Sequence, residues 1–412
     1  MERLTLARAV TLALERNTEL SLARGEQGRA AAQEREALGL ALPDLTLTGR
    51  YQREGKNPEL EFFGQRFRLK PDESYAVNAE LNQYLYSGAV SAGWRAAQRA
   101  TAAAGLGLEA ARQDAIAQVA QRFYLALYAR EVIRAHEEAV AQLEEHLKDS
   151  REREAVGLNT SYDTLRFESR LAEARPELLA ARNDYARVSL ALLDLAGLDP
   201  LAQVEFDGAL PLDSRGAPLD EAVAAALARR PELAAAGERV EVADRIADAT
   251  ASEQLPSVQA FARYSASNNP GLGDVNQWLD DWNVGLKLEM NLFDGRERSS
   301  RLERRRVEAR MERDRREAAR RRVVIETREA HDELARAAQF VRSQEKSVEY
   351  AQETYRIALA AREEGMVTQL ELLDAQLALT RARINYHRSL YERAVAGLKL
   401  RRAMGVMDEN VE

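Results

Sequence analysis

Apolar residues recur along this chain with two periods. Over Leu4–Leu40 they return every three or four positions, which predicts a helix ending before Pro43. Leu45, Leu47, Gly49 and Tyr51 then alternate with polar residues, the signature of a strand. Glu54–Glu73 carries Gly, Pro and charges and reads as a loop, and Tyr75, Val77, Ala79 and Leu81 alternate again before Ser87-Gly88. A proline-free helical stretch follows from Ala89 to about Val156, about 100 Å long at ~1.5 Å per residue. The run Gly157-Leu158-Asn159-Thr160 breaks it, and a return helix runs from Ser161 to about Ala196, where Gly197 and Pro200 stop it. After a linker at Leu201–Pro218 the order repeats: helix Leu219–Glu253, strand Val258–Ser265, loop Ser267–Asp281, strand Trp282–Leu292, long helix Arg296–Glu364, a break at Gly365 and a return helix Gln369–Met404.

The repetition extends to residues. Ala9–Leu20 (AVTLALERNTEL) matches Ala222–Leu233 (AVAAALARRPEL), and Leu42–Tyr51 matches Leu255–Tyr264, both 213 positions later. Tyr75–Gly88 matches Trp282–Gly295 at 207, while Gly157 and Gly197 match Gly365 and Gly405 at 208. The offset changes between Tyr51 and Tyr75, so the second copy is about six residues shorter there. One structural unit is therefore used twice. Residues 1–200 form the first repeat, 201–218 a linker or equatorial segment, 219–405 the second repeat, and 406–412 a C-terminal tail.

Both long helices carry heptads. Ala126, Ile133, Val140 and Leu147 are seven apart, as are Leu334, Val341, Val348 and Tyr355 at the matching positions. A parallel row joins Ala129, His136, Leu143 and Ser150 to Ala337, Gln344, Ala351 and Ala358. A seven-residue repeat holds one stripe against a neighbour and predicts coiled-coil packing. Heptads alone fit an ordinary helical hairpin, or a soluble coiled-coil scaffold or adaptor protein. The strands argue against the scaffold: each repeat places two alternating segments, about 44–53 and 74–86, then 257–266 and 282–292, between an incoming and an outgoing helix. Four strands leave open edges in one chain, whereas twelve from three chains could close. The expected fold is mainly α with a β-barrel portion.

Composition removes other classes. Charged residues make up 31% and aromatics 6%, the balance of long solvated helices rather than a compact enzyme core. The net charge of −8 argues against a general polyanion binder, and the lack of cysteine excludes thiolate metal sites, disulfides and a cysteine nucleophile. No signal peptide is visible in Met1–Leu20, and no apolar run reaches the ~18 residues of a transmembrane helix. Barrel strands give a much weaker signal, so the outer membrane stays open.

The segments YLYSGAVSAG (Tyr84–Gly93) and NLFDGRERSS (Asn291–Ser300), where strand turns into helix, resemble the TolC family of outer-membrane efflux and secretion channels. So do VGLNTSYDTL (Val156–Leu165) and EGMVTQLELLDAQLAL (Glu364–Leu379), where the hairpins turn. The resemblance covers about Leu4 to Gly405. It implies a homotrimer with a 12-stranded transmembrane β-barrel and a coiled-coil α-barrel extending into the periplasm. The role it implies is a passive exit duct of a tripartite efflux pump or a type I secretion system, with no catalysis and no cofactor. The implied partners are outer-membrane lipid, a periplasmic adaptor (membrane fusion protein) and an inner-membrane transporter; the cargo is left open.

Three groups of residues follow. Arg153, Gly157, Thr160, Gly365 and Thr368 surround the hairpin turns, which the resemblance makes the adaptor-docking tip. Glu371 and Asp374, three apart on one helix face, fall on the family's gate aspartates, and Asp163 matches an acidic position in the first hairpin. Threefold symmetry would turn each into a ring able to select cations. The family's gate tyrosine falls on Arg362 and its gate arginine on Val367, so a closed-state bond here needs another pattern, such as Arg362 to Asp163. The alternative for these carboxylates is a solvated acidic first turn favoured by the helix dipole. Ser87, Gly88, Asp294 and Gly295 mark the strand-to-helix elbows.

Residues 296–322 hold thirteen arginines against six acids, with nothing similar in the first repeat. The interleaved acids and the lack of aromatics argue against nucleic acid and favour an ion-paired solvated face, or a positive band near lipid head groups or anionic cargo. The aromatics Tyr51, Tyr75, Tyr84, Tyr86, Tyr264, Trp278 and Trp282 lie in or beside the strands, where they suit an interfacial girdle or the inner and equatorial packing of a barrel. The histidines His136, His146, His331 and His387 have no metal-binding spacing.

Overall fold

In the computed structural model the described residues are 2–53, 55, 59–68, 73–211, 216–268, 278–364 and 366–408. The first repeat runs β1 (Glu2–Leu4), α1 (Leu6–Arg16), α2 (Thr18–Gly39), β2 (Asp44–Arg53), β3 (Glu59–Phe62), β4 (Gln65–Arg68), β5 (Glu73–Tyr86), α3 (Gly88–Ala155) and α4 (Ser161–Leu195), and β6 (Val204–Phe206) follows in the linker. The second runs α5 (Leu219–Arg229), α6 (Pro231–Ser252), β7 (Ser257–Ser267), β8 (Leu279–Glu289), α7 (Glu297–Glu363) and α8 (Gln369–Ala403). The residues fall into two compact units, one of Met1–Gly25, Leu106–Ala234 and Ala318–Glu412, the other of Glu26–Gly105 and Ala235–Glu317. Each unit draws on both repeats.

Three local expectations change. The single helix expected at the start of each repeat is two helices. At Asn17 the backbone turns extended (φ −62°, ψ 129°), and its Oδ1 accepts the Leu20 N–H at 3.1 Å, capping α2. The matching Arg230 is extended too, and Pro231 opens α6 at a position where its missing N–H costs nothing. Within the predicted loop at Glu54–Glu73, β3 and β4 pair as a hairpin, and Phe63 and Gly64 turn with φ of 50° and 76°. The last strand ends at Glu289 rather than Leu292, because its partner β7 begins opposite it at Ser257 and offers nothing further to bond.

In the first unit, parallel β1 and β6 set Leu4 opposite Phe206. Around them Val10, Ile116, Val119, Phe123, Leu127 and Leu192 are buried. The Phe123 and Phe206 rings meet edge to face at 5.9 Å. The heptad positions are the packed stripe: Ala126, Ala129, Leu143, Leu147 and Ser150 are buried on α3, and Leu334, Ala337, Val341 and Ala358 on α7. Both return helices end in a left-handed glycine. Gly197 (φ 64°) sits against Arg16, and Gly405 (φ 70°) against the backbone of Arg229 and Arg230, the residue matching Arg16 and its successor.

In the second unit, β2-β5-β7-β8 form one antiparallel sheet with β2 and β8 as open edges. Register sorts its faces. Tyr264 lies opposite Trp282, Ala262 opposite Val284, Ala260 opposite Leu286 and Val258 opposite Leu288. Leu45, Leu47, Tyr75, Val77 and Leu81 share that face across β2 and β5. The opposite face carries Asn78, Glu80, Gln259, Arg263, Asn283 and Lys287, with Arg263 bonded to Glu80 at 3.1 Å. Gly285 leaves room on it for the Phe261 ring, which an added Cβ would meet at 2.8 Å. The apolar face is bare: Trp282, Val284, Leu286 and Leu288 are 69%, 66%, 69% and 70% exposed.

The strand-to-helix elbows differ. At the first, Ser87 Oγ accepts the Val90 N–H at 3.3 Å, and Gly88 passes so close to Ser252 that a Cβ would lie 2.7 Å from its Cβ. At the second, Gly295 and Arg296 are left-handed (φ 65° and 73°). There Arg298 binds Asp294 at 2.5 Å and donates to the carbonyls of Glu253 and Asn291.

Candidate functional site

The two hairpin turns lie in the first unit and share one design. After α3, the N–H of Gly157 (φ 76°) donates to Glu154 O at 3.0 Å and that of Leu158 to Arg153 O at 2.8 Å, closing the helix end. After α7, Met366 N–H reaches Ala361 O at 2.8 Å in the matching bond, while Gly365 lies outside the described residues. Each return helix then opens with a capping box. Thr160 Oγ1 accepts the Asp163 N–H, and Asp163 Oδ2 accepts the Thr160 N–H and hydroxyl at 3.2 and 2.7 Å. Thr368 and Glu371 repeat the exchange at 2.7 and 2.9 Å. Two orphan N–H groups are satisfied at each helix start.

Two of the three carboxylates expected at a constriction thus hold their own helices in place. The Thr368 N–H, then its hydroxyl, keep Glu371 below the usual carboxylate range, so it stays charged in mild acid. Asp374, one turn further along α8, is exposed and makes no ion pair among the described residues. Glu371 and Asp374 both lie on the exposed face of α8, between the buried Leu372, Leu373 and Ala375.

Beneath the turns the structure joins residues that no local pattern links. Arg362, its side chain only 9% exposed, donates to Asp149 Oδ2 at 3.0 Å and lies over the Phe167 ring. The other Asp149 oxygen accepts from Arg153 at 3.1 Å. Arg153 and Arg362 are therefore held by one carboxylate from α3, and within the chain Arg362 pairs with Asp149, not with Asp163. A buried cation takes the partner its neighbouring helix presents, and Asp163 is already engaged by Thr160. Next to them His146 Nε2 meets the Tyr355 hydroxyl at 3.0 Å, with its ring against Phe167. Burial, then the nearby Arg362, lowers the His146 pKa, so the ring is neutral at pH 7. Asn159 and Thr164 bond Ser150 Oγ at 3.2 Å each. The capping boxes were readable as T-x-x-D and T-x-x-E; Asp149, Tyr355 and Phe167 have no such signal.

Among the described residues no group of three or more His, Asp or Glu could hold a metal ion, and no helix is long and apolar enough to cross a membrane. The elbow residues Ser87, Gly88, Asp294 and Gly295 lie in the second unit, beside the sheet.

The profile of the outer membrane efflux protein family matches residues 9–198 and 222–406. The alkaline protease secretion protein AprF of Pseudomonas aeruginosa is 26% identical, over 97% of this chain and 86% of that protein. The outer membrane protein TolC of Vibrio cholerae is 24% identical, over 92% and 85%. The fold is similar to that of the Campylobacter jejuni CmeC outer membrane channel (TM-score 0.85, 18% identity, 99% of this chain and 87% of that one). It is also similar to the open state of the Neisseria gonorrhoeae MtrE channel (0.82, 19%, 99% and 90%).

Proposed function

The chain belongs to the outer membrane efflux protein family, a family of outer-membrane channels rather than enzymes, and from that premise we propose that three copies form the passive exit duct of a tripartite export assembly. The bare apolar sheet face carries this reading. Strands of 10, 14, 11 and 11 residues are long enough to span a membrane, which takes about 9–11 residues in a tilted β-strand. One side is apolar with Tyr and Trp, the other polar and ion-paired, which suits lipid outside and water inside. Both edges are open, and because β2 and β8 run in opposite directions, β8 of one copy can add to β2 of the next in the same antiparallel pattern. Three copies then close a 12-stranded barrel.

The helices support the same count. One side of α4 leaves Tyr162, Leu165, Leu179 and Leu190 exposed, and one side of α7 leaves Ile325, Tyr350 and Ile357 exposed. Stripes of this kind on a single chain call for a second copy. In the assembled duct the turns at Arg153, Gly157, Thr160, Gly365 and Thr368 receive a periplasmic adaptor, which couples the duct to an inner-membrane transporter. Asp163, Glu371 and Asp374 form acidic rings at a constriction, with Arg362 tying it shut through Asp149. The test is single-channel conductance of the detergent-purified protein in a planar bilayer, with its mass measured in parallel. Cation-selective currents from a trimer are expected, and Glu371→Ala with Asp374→Ala should lower the cation preference several-fold. A monomer that never inserts would return the chain to a coiled-coil scaffold; an unchanged preference would remove the acidic constriction alone.

A further inference from the structure

The duplication lets one seam of the molecule serve as the template for another. Near the end of α8, Arg402 is 13% exposed and reaches across to α3, donating to Asp114 at 2.6 Å. It also pairs with Glu232 in the first turn of α6. Arg402 thus bridges two carboxylates and clips the second return helix to the first long helix. Beside it lies a cavity of ≈ 340 Å³, walled by α7 and α8 and lined on a third side by Ala117 and Gln121 of α3 and by Arg230.

The first repeat has the same groove. A cavity of ≈ 320 Å³ is lined by Gln118, Gln121, Arg122, Ala191, Asp194 and Leu195. Each stands 208 positions before a residue lining the first cavity: Glu326, Glu329, Ala330, Lys399, Arg402 and Ala403. The charges at the bridge are exchanged. Asp194 occupies the place of Arg402, and the place of Asp114 falls to Arg322, also 208 positions on. Glu19, in the first turn of α2, occupies the place of Glu232, 213 positions before it. The first groove therefore presents two acids where the second has a cation between two acids.

Among the described residues no third long helix lines the first groove as α3 lines the second. The α7 residues that match Ala117 and Gln121 are Ile325, which is 56% exposed, and Glu329, which is exposed. Arg322, Asp194, Arg122 and Glu329 make no ion pair among the described residues.

We propose that α7 of a second copy seats in the α3–α4 groove, with its Arg322 on Asp194 of the first copy and its Ile325 and Glu329 closing the cavity. The site is incomplete in one chain, and the partner is chosen by complementary charge and by the occupied groove 208 residues later. This gives the last arginine of the 296–322 run a role, as the cation of the seam. A bridge repeated with its charges exchanged also separates the two seams, since an α7 cannot replace α3 at Arg402 without placing Arg against Arg.

The inference rests on the trimeric reading, and the test separates the two. The chain has no cysteine, so Asp194→Cys with Arg322→Cys introduces one defined pair per seam. Treated with a short bis-maleimide in detergent, the double variant should give a covalent ladder up to three chains, and neither single variant should. A trimer by mass without a ladder overturns the seam and leaves the duct standing; a monomer by mass overturns both. Charge exchange supplies a second reading. Asp194→Arg should lower the trimer fraction several-fold, and adding Arg322→Asp should restore it. Failure of that rescue also overturns the pairing.

Discussion

The two return helices, α4 and α8, are each 35 residues long and each open with a Thr capping box, yet α8 buries fifteen residues in the chain and α4 seven. The backbone program is duplicated; the surroundings are not. Helix α8 lies against α3, through Arg402 on Asp114, Arg383 on Glu138 and Gln376 on the Ala139 carbonyl, and against α7, through Lys399 on Glu333. Helix α4 has α3 on one side, through Arg151, Arg175 and Arg182, and exposed leucines on the other. A repeat of this kind fixes secondary structure twice and leaves one copy waiting for a neighbour. The same contrast holds in the sheet, where β5 and β7 are doubly paired and β2 and β8 are edges.

The two return helices differ most at Phe167. It is fully buried under the first turn, and its counterpart in the second repeat is Ala375. Phe167→Ala should cost about 3–5 kcal/mol locally. Hydrogen exchange should report it as lost protection at the ends of both α3 and α7, since the ring supports both His146 and Arg362. If only α4 loosens, the two hairpins are not coupled there.

The glycines give the next effect. An alanine Cβ at Gly405 would lie 2.9 Å from backbone atoms of Arg229 and Arg230, which cannot yield, whereas at Gly157 it would meet nothing within 4 Å. Gly157→Ala should therefore cost only the left-handed conformation, about 1–2 kcal/mol, and Gly405→Ala clearly more, read as paired shifts in thermal unfolding. Equal shifts would deny the close approach of α8 to the α5–α6 break.

The caps come third. Thr160→Ala and Thr368→Ala should each cost about 1 kcal/mol, seen as fraying of the first turn of α4 or α8 by hydrogen exchange. Thr368→Ala should also return Glu371 toward the ordinary carboxylate range, because its two donors to Glu371 are weakened or lost. The cap's contribution through Glu371 is present above the unfolded carboxylate pKa and fades as pH falls through the lower folded value.

The smallest effect is the acid response of His146. Its folded pKa lies below the unfolded value near 6.5, so the unfolded chain takes the proton first and stability falls as pH drops below about 6.5. The groups facing it are Glu145 and Asp149 from α3, Phe167 from α4, and Tyr355 and Arg362 from α7. Protection at the α3 and α7 ends, corrected for the intrinsic exchange rate, should fall as pH drops below about 6.5, and His146→Gln should flatten that slope; an unchanged slope would place the acid sensitivity elsewhere.

Much of this was legible in the residues. Alternation at Leu45–Tyr51 and Tyr75–Leu81 marked strands, heptads marked the packed stripes of α3 and α7, and glycines 208 apart marked the ends of the hairpin helices. Two features were locally encoded but needed another rule: the T-x-x-D and T-x-x-E boxes, and Pro231 as the start of a new helix. Asn17 broke the first helix without a proline, because its side chain could cap what followed.

What the sequence determined by itself is the set of elements, their duplication and the two-faced strands, because period, caps and turn residues act over a few positions of backbone. Which helix lies beside which was decided only in three dimensions. Asp149 takes Arg362 over 213 residues of chain, and Asp114 takes Arg402 over 288, for the same reason. A buried cation must find a carboxylate, and packing alone determines which carboxylate is within reach.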